Sequence, residues 1–74
     1  MTDYLKVFGL NVQQARERRG MTQAQLSKRL DHLSLPYISR VEHGGANLTV
    51  KQAVRFAHAL GLPLDALFDP KGVA

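Results

Sequence analysis

The chain has 74 residues, 45% hydrophobic and 22% charged, and contains no cysteine. That is room for one domain, burying only about 60% of the surface its unfolded chain exposes; size argues against a large enclosed catalytic cavity, composition excludes disorder, and the missing thiols remove disulfides, thiolate zinc sites and cysteine nucleophiles together. Ten Lys and Arg against six Asp and Glu leave a net charge of +4, which favours a polyanionic partner.

At the N-terminus, MTDYLKVFGL lacks a basic start followed by an apolar run, and no stretch reaches the roughly 18 apolar residues that span a bilayer, so neither export nor membrane insertion is expected and a cytoplasmic location fits. Leu5, Phe8, Val12 and Ala15 recur at helical spacing, with Thr2 as candidate cap and Gly20 as stop; they predict a helix over Asp3–Arg19. Thr22-Gln23-Ala24-Gln25 reads as a capping box, and Met21 with Leu26 forms a hydrophobic staple, so a second helix starts at Gln23 with Leu26 and Leu30 inward and Ser27 small enough for a neighbouring helix to approach. After Asp31-His32-Leu33, Ser34 caps a third helix with Pro36 in its first turn, where the missing N–H costs nothing; Ile38, Val41 and Glu42 share one face, and Gly44 ends it. Capping recurs at Thr49, and Val50, Ala53, Val54, Ala57 and Leu60 stripe a fourth helix to Leu60, closed by Gly61 and Leu62. Pro63 opens a last short helix through Phe68. No strand candidate remains, so the predicted class is all-α, five packed helices in one domain over residues 1–69 with a tail over 70–74.

The second and third helices, joined by a tight connection, form a helix-turn-helix. A third helix of about ten residues spans about 15 Å, enough to lie in a DNA major groove roughly 12 Å wide, with Leu35, Pro36, Tyr37, Ser39, Arg40 and His43 on its outward face. Helix-turn-helix hairpins also occur in proteins that never touch DNA. Three mutually spaced blocks narrow the choice: Gly20-Met21-Thr22-Gln23-Ala24-Gln25-Leu26, Pro36-Tyr37-Ile38-Ser39-Arg40-Val41-Glu42-His43-Gly44 and Ala57-His58-Ala59-Leu60-Gly61-Leu62 closely resemble the Cro and phage-repressor helix-turn-helix family across residues 5–68. The resemblance implies a five-helix, lambda-repressor-like, dimeric domain that binds specific double-stranded DNA in transcription; no cofactor, metal or small-molecule ligand is indicated by the sequence. Asn47-Leu48-Thr49-Val50 further resembles restriction-modification controller proteins, with a prophage regulator close behind. One departure stands out: relatives use a Gly-containing turn, whereas Asp31-His32-Leu33-Ser34 is one residue longer and has no Gly. The second helix is therefore expected to extend by part of a turn, with Leu33 as the buried turn residue.

The resemblance, with the positive dipole at a helix start, makes Gln23 a phosphate ligand rather than an ordinary first-turn residue. Arg40 can bond guanine O6 and N7 with both arms, or else take a phosphate. Ser39 reads base or backbone, and Tyr37 packs on the sugar-phosphate chain. Leu35 and Pro36, where relatives often carry Gln, offer a thymine methyl only apolar contact; so thin a hydrogen-bonding inventory suggests reliance on DNA shape. The Gly44–Thr49 loop presents backbone N–H groups and Asn47 to phosphate, flanked by His43 and Lys51. Arg18, Arg19, Lys28, Arg29 and Arg55 add positive field.

Arg16 and Glu42 are expected to pair inside the domain, as in relatives. Leu62, Leu64, Leu67 and Phe68 cannot all face inward from a helix of about six residues; Leu64 and Leu67 are assigned to a dimer interface, while Leu62 and Phe68 cover the core. Enzymatic function is not expected. His32, His43 and His58 lack metal-ligand spacing, no Ser, His and acid combination is signposted, and Asp65 and Asp69 sit at a helix start and stop. The competing reading is an antitoxin-like protein-interaction module, since that role can use the same fold.

Overall fold

The computed structural model describes residues 2–72, so the expected tail is seen only through Gly72, and residues 73–74 lie outside the described part. Four α-helices follow in chain order: α1 (Tyr4–Arg18), α2 (Gln23–Arg29), α3 (Leu35–Glu42) and α4 (Val50–Leu60). The fifth segment, Leu64–Phe68, is a 3-10 helix rather than an α-helix. Its five residues lie between Pro63 and Pro70, too few for a ladder of i to i−4 bonds. No strand is present among the described residues.

The helix ends follow from capping chemistry. Asp3, not Thr2, caps α1: its Oδ1 accepts from the Leu5 and Lys6 N–H groups at 3.1 and 3.2 Å, so the helix starts one residue later than expected. Thr22, Ser34 and Thr49 each accept the N–H three residues ahead. At α2 the box is complete, because the Gln25 side-chain oxygen accepts the Thr22 N–H at 2.8 Å. Gly61, at φ 67°, closes α4 with Leu62 N–H bonded to Ala57 C=O at 3.0 Å.

The core joins Phe8, Val12 and Ala15 of α1, Leu26 and Leu30 of α2, Ile38 and Val41 of α3, Ala53, Phe56, Ala57 and Leu60 of α4, and Leu67. Phe8 meets Phe56 edge-on with ring centroids 5.8 Å apart. The expected α4 stripe is rotated: Val50 is 76% and Val54 38% exposed, and Phe56, absent from that stripe, is fully buried. Leu5 is likewise outside the core, 39% exposed.

Helix α2 does not extend into the connection. It ends at Arg29 with Leu30 as C-cap, and the extra residue is absorbed by two successive left-handed residues, Asp31 (φ 56°) and His32 (φ 62°). Asp and His are among the residues that tolerate this region. The buried Ser27 hydroxyl donates to Leu33 C=O at 2.6 Å, and Ser27 C=O accepts His32 N–H at 2.8 Å, so Ser27 serves through hydrogen bonds and not only through small size. Leu33 packs half-buried against the core.

Gly9 sets the crossing of α1 and α3. A Cβ there would collide with the Val41 carbonyl oxygen and lie 2.8 Å from that of Glu42, so the two helices meet backbone to backbone. Gly9→Ala is expected to destabilise the domain by about 1–3 kcal/mol through overpacking, roughly 4–8 °C of melting temperature per kcal/mol in a domain this small. A thermal melt indistinguishable from wild type refutes the close approach.

Candidate nucleic-acid interface

Helix α3 has one buried side and one free side. Ile38, Val41 and Glu42 are buried; Leu35, Pro36, Arg40 and His43 are exposed, and Tyr37 and Ser39 are half-buried. Its eight residues make it about 12 Å long, shorter than expected but still the width of a major groove. Leu35, 45% exposed, and Pro36 form an apolar leading edge. Behind it, Arg40 holds its guanidinium carbon 5.8 Å from the Tyr37 ring centroid, within cation–π range. The Tyr37 hydroxyl donates to Asn47 C=O at 3.2 Å, so this ring ties α3 to the loop before α4. Ser39 C=O accepts twice from His43, from its backbone N–H at 3.1 Å and its ring Nδ1 at 2.7 Å.

On the inner side Glu42 anchors three elements. Arg16 of α1 meets it in a bidentate pair, Nε to Oε2 at 2.7 Å and Nη2 to Oε1 at 3.1 Å, while Arg16 Nη1 donates to Met21 C=O at 2.8 Å. Gln23 of α2 donates its side-chain N–H to Oε1 at 3.0 Å. The carboxylate, 1% exposed, is thus saturated with donors, as a buried charge requires. Its hydrogen bond raises the Arg16 pKa above the ordinary arginine value against the opposing effect of burial. Gln23 is half-buried; of the two N–H groups on its amide, the bond to Glu42 uses one.

The loop between α3 and α4 is folded against α1. Gly44 has φ 76°, and a Cβ there would lie 2.6 Å from the Lys6 stem, so Gly is required for both conformation and space. Gly45 N–H closes onto Arg40 C=O at 2.8 Å. Asn47 and Lys51 are exposed, one on the loop and the other in the first turn of α4. Tyr37 and His43 thus belong to α3 and its C-cap, Asn47 to the loop, Lys51 to the first turn of α4, and Gln23 to α2, where it meets the inner side of α3 through Glu42.

Leu64 and Leu67 do not share a surface. Leu67 is fully buried in the core, which removes it from any interface: the tight 3-10 turn sends it inward, while Asn11 of α1 pins the Leu67 and Asp69 carbonyls with two 3.0 Å bonds from Nδ2. Leu64 is half-buried and lines an apolar groove of about 120 Å³ with Leu5, Leu48, Val50, Ala53 and Phe68. Asn11 was not singled out from sequence, although a polar residue between Phe8 and Ala15 on an apolar stripe is a signal for such a role. Among the described residues no group of three or more His, Asp or Glu is arranged to hold a metal, and no helix is long and apolar enough to cross a membrane.

Residues 12–67 match the family described as Helix-turn-helix. No curated protein matches significantly. Among solved structures, the chain is similar to a hypothetical transcription factor, NHTF, from Neisseria, with 27% identity and a TM-score of 0.84 over 90% of this chain and 76% of that one. It is also similar to the restriction-modification controller protein C.AhdI from Aeromonas hydrophila, with 28% identity and a TM-score of 0.80 over 86% of this chain and 96% of that one.

Removal of the Glu42 carboxylate strands the Arg16 guanidinium, whose side chain is only 12% exposed. Glu42→Ala is expected to cost about 3–5 kcal/mol, with Glu42→Gln milder because it still accepts from Arg16. A Glu42→Ala melt that overlays the wild type refutes the buried pair.

Proposed function

The chain belongs to the helix-turn-helix family of Cro/C1 type, and we propose that it regulates transcription in the cytoplasm by binding, as a homodimer, a pseudo-palindromic DNA operator. The observation that carries this reading is the two-sided α3, its inner side clamped by Arg16, Glu42 and Gln23 and its outer side carrying Leu35, Pro36, Ser39, Arg40 and His43. The likeness to a restriction-modification controller favours that kind of regulator over a prophage type.

In this reading α3 enters the major groove. Arg40, steadied over the Tyr37 ring, bonds a guanine with both arms; Leu35 and Pro36 contact thymine methyl groups, and Ser39 adds a hydroxyl. Gln23 gives its second amide N–H to a phosphate at the start of α2, where the helix dipole also favours an anion. Tyr37 packs on the sugar-phosphate chain, and His43, Asn47 and Lys51 reach phosphates on the other flank. The second copy docks through the groove of Leu5, Leu48, Val50 and Leu64, self-complementary about a two-fold axis.

Nuclease footprinting on a site selected from random DNA is expected to show a two-fold-symmetric footprint with half-sites roughly 34–36 Å apart. Affinity should fall roughly 10³–10⁵-fold between about 50 and 200 mM salt if 6–10 phosphates are neutralised. A single asymmetric footprint or a salt-independent affinity refutes the reading. Arg40→Ala should cost about 1–3 kcal/mol and relax preference at one base pair, whereas Gln23→Ala should weaken all sequences alike.

Val50→Lys tests the dimer at a position 76% exposed in the monomer. Like charges facing each other across the axis oppose association, so ultracentrifugation should give a monomer with unchanged helical circular dichroism and reduced operator affinity. A dimer that persists places the interface elsewhere. Leu67→Lys, by contrast, should unfold the domain.

A further inference from the structure

We propose that His43 donates to a DNA phosphate only when its ring is protonated, so that each chain takes up a proton on binding and affinity falls as pH rises. The inference rests on the DNA-binding reading above and adds its regulation by pH. His43 Nδ1 lies 2.7 Å from Ser39 C=O, and that oxygen also accepts the His43 backbone N–H at 3.1 Å. A carbonyl oxygen only accepts, so Nδ1 carries the hydrogen. A neutral imidazole has one N–H; with that hydrogen held at Nδ1, Nε2 bears a lone pair and no proton. A lone pair facing a phosphate oxygen repels it. Only the imidazolium has an Nε2–H to donate, and the bond is then charge-assisted.

The surroundings couple the proton to the ligand. His43 is exposed at the C-cap of α3, where the helix dipole favours a cation. The charged groups on the neighbouring elements are mostly positive: Lys6 of α1, whose stem packs at Gly44; Arg40 of α3, leaning over Tyr37; and Lys51 in the first turn of α4. The anions are committed elsewhere, Glu42 to Arg16 and Gln23, and Asp3 to the first N–H groups of α1. The free protein therefore offers the ring no anionic partner, whereas a bound phosphate does. By linkage, a ligand that favours the protonated ring is favoured in turn by acid. The remaining contacts of the reading, those of Gln23, Asn47 and the face of α3, involve no imidazole, so binding at high pH is weakened and not lost.

The experiment measures affinity for a duplex carrying the selected site, at fixed ionic strength, from about pH 6 to pH 8, where imidazoles titrate. The wild type is expected to bind about tenfold more weakly per chain at the upper end, the worth of one charge-assisted hydrogen bond, and so about a hundredfold more weakly as a dimer. His43→Gln should be independent of pH and, because its amide N–H can still donate a neutral hydrogen bond, intermediate between the wild type in acid and in base; His43→Lys, a permanent cation, should be independent of pH and tight. A variant carrying His32→Asn and His58→Gln should keep the wild-type slope. Ring nitrogen chemical shifts of the free protein in base should show the Nδ1–H tautomer. Tight but pH-independent wild-type binding, a slope that survives His43→Gln, or an Nε2–H tautomer overturns the inference while leaving the DNA-binding reading intact. Failure to select or bind any duplex at any pH overturns that reading, and this inference with it.

Discussion

One buried carboxylate holds the working parts of this domain in register. Glu42 lies on the inner side of α3 and receives donors from Arg16 on α1 and Gln23 on α2, so three helices converge on two oxygen atoms. Helix α3 has only eight residues, below the length at which an isolated helix is stable in water; its conformation and direction come from packing. Ile38 and Val41 supply the apolar part of that packing, which has no preferred rotation of its own. The bidentate geometry of a guanidinium on a carboxylate is directional and fixes which residues of α3 face out. Gly9 completes the constraint by letting the α1 backbone reach the end of α3.

The outward side is assembled by a second set of contacts, in which Tyr37 also packs against the core. Tyr37 stands under the Arg40 guanidinium and bonds the Asn47 carbonyl, while the Ser39 carbonyl orients His43. Side chains that would otherwise sample many rotamers are held in place before any ligand arrives, which lowers the entropy cost of using them. Leu35 and Pro36 need no such support. Pro36 is rigid, and both are apolar, so their contribution is shape.

Much of this was legible in the sequence because helix ends are written locally. Thr22 with Gln25, Ser34 with Pro36, and Thr49 each mark a start by chemistry confined to a few residues, and the starts of α2 and α4 fall where those caps place them. What was not legible depends on contacts between distant segments. Phe56 is buried and Val54 partly exposed because of where α1 and the 3-10 helix lie, a choice periodicity cannot make between neighbouring residues of one stripe. Leu67 faces inward because a five-residue segment between two prolines winds as 3-10 and Asn11 holds its carbonyls, which rotates it away from the side an α-helix would give. The candidate site divides in the same way: the exposed face of α3 could be read from spacing, whereas the engagement of Gln23 by Glu42 and of Tyr37 by Asn47 joins residues 19 and 10 positions apart.

The turn between α2 and α3 shows how the fold makes a left-handed connection without glycine. A left-handed conformation costs an ordinary L-residue roughly 1–2 kcal/mol, less for Asp and His, and two stand in succession here. Against that cost are bonds from Ser27 to Leu33, from His32 to Ser27, and from Arg55 Nη2 to the Leu30 carbonyl at 2.8 Å, each worth about 0.5–1.5 kcal/mol; the two sides are of similar size. The ion pair of Arg55 with Asp31, at 3.5 Å and with the Asp31 side chain 96% exposed, adds little. Arg55 Nη1 also donates to Gln52 Oε1 at 3.1 Å, so the turn is held from α4. A residue that reads in the sequence as one more surface cation is therefore structural. It ties the end of α2 to the same helix that carries Lys51, so the spacing of the elements around the candidate interface is set jointly and not by the turn alone.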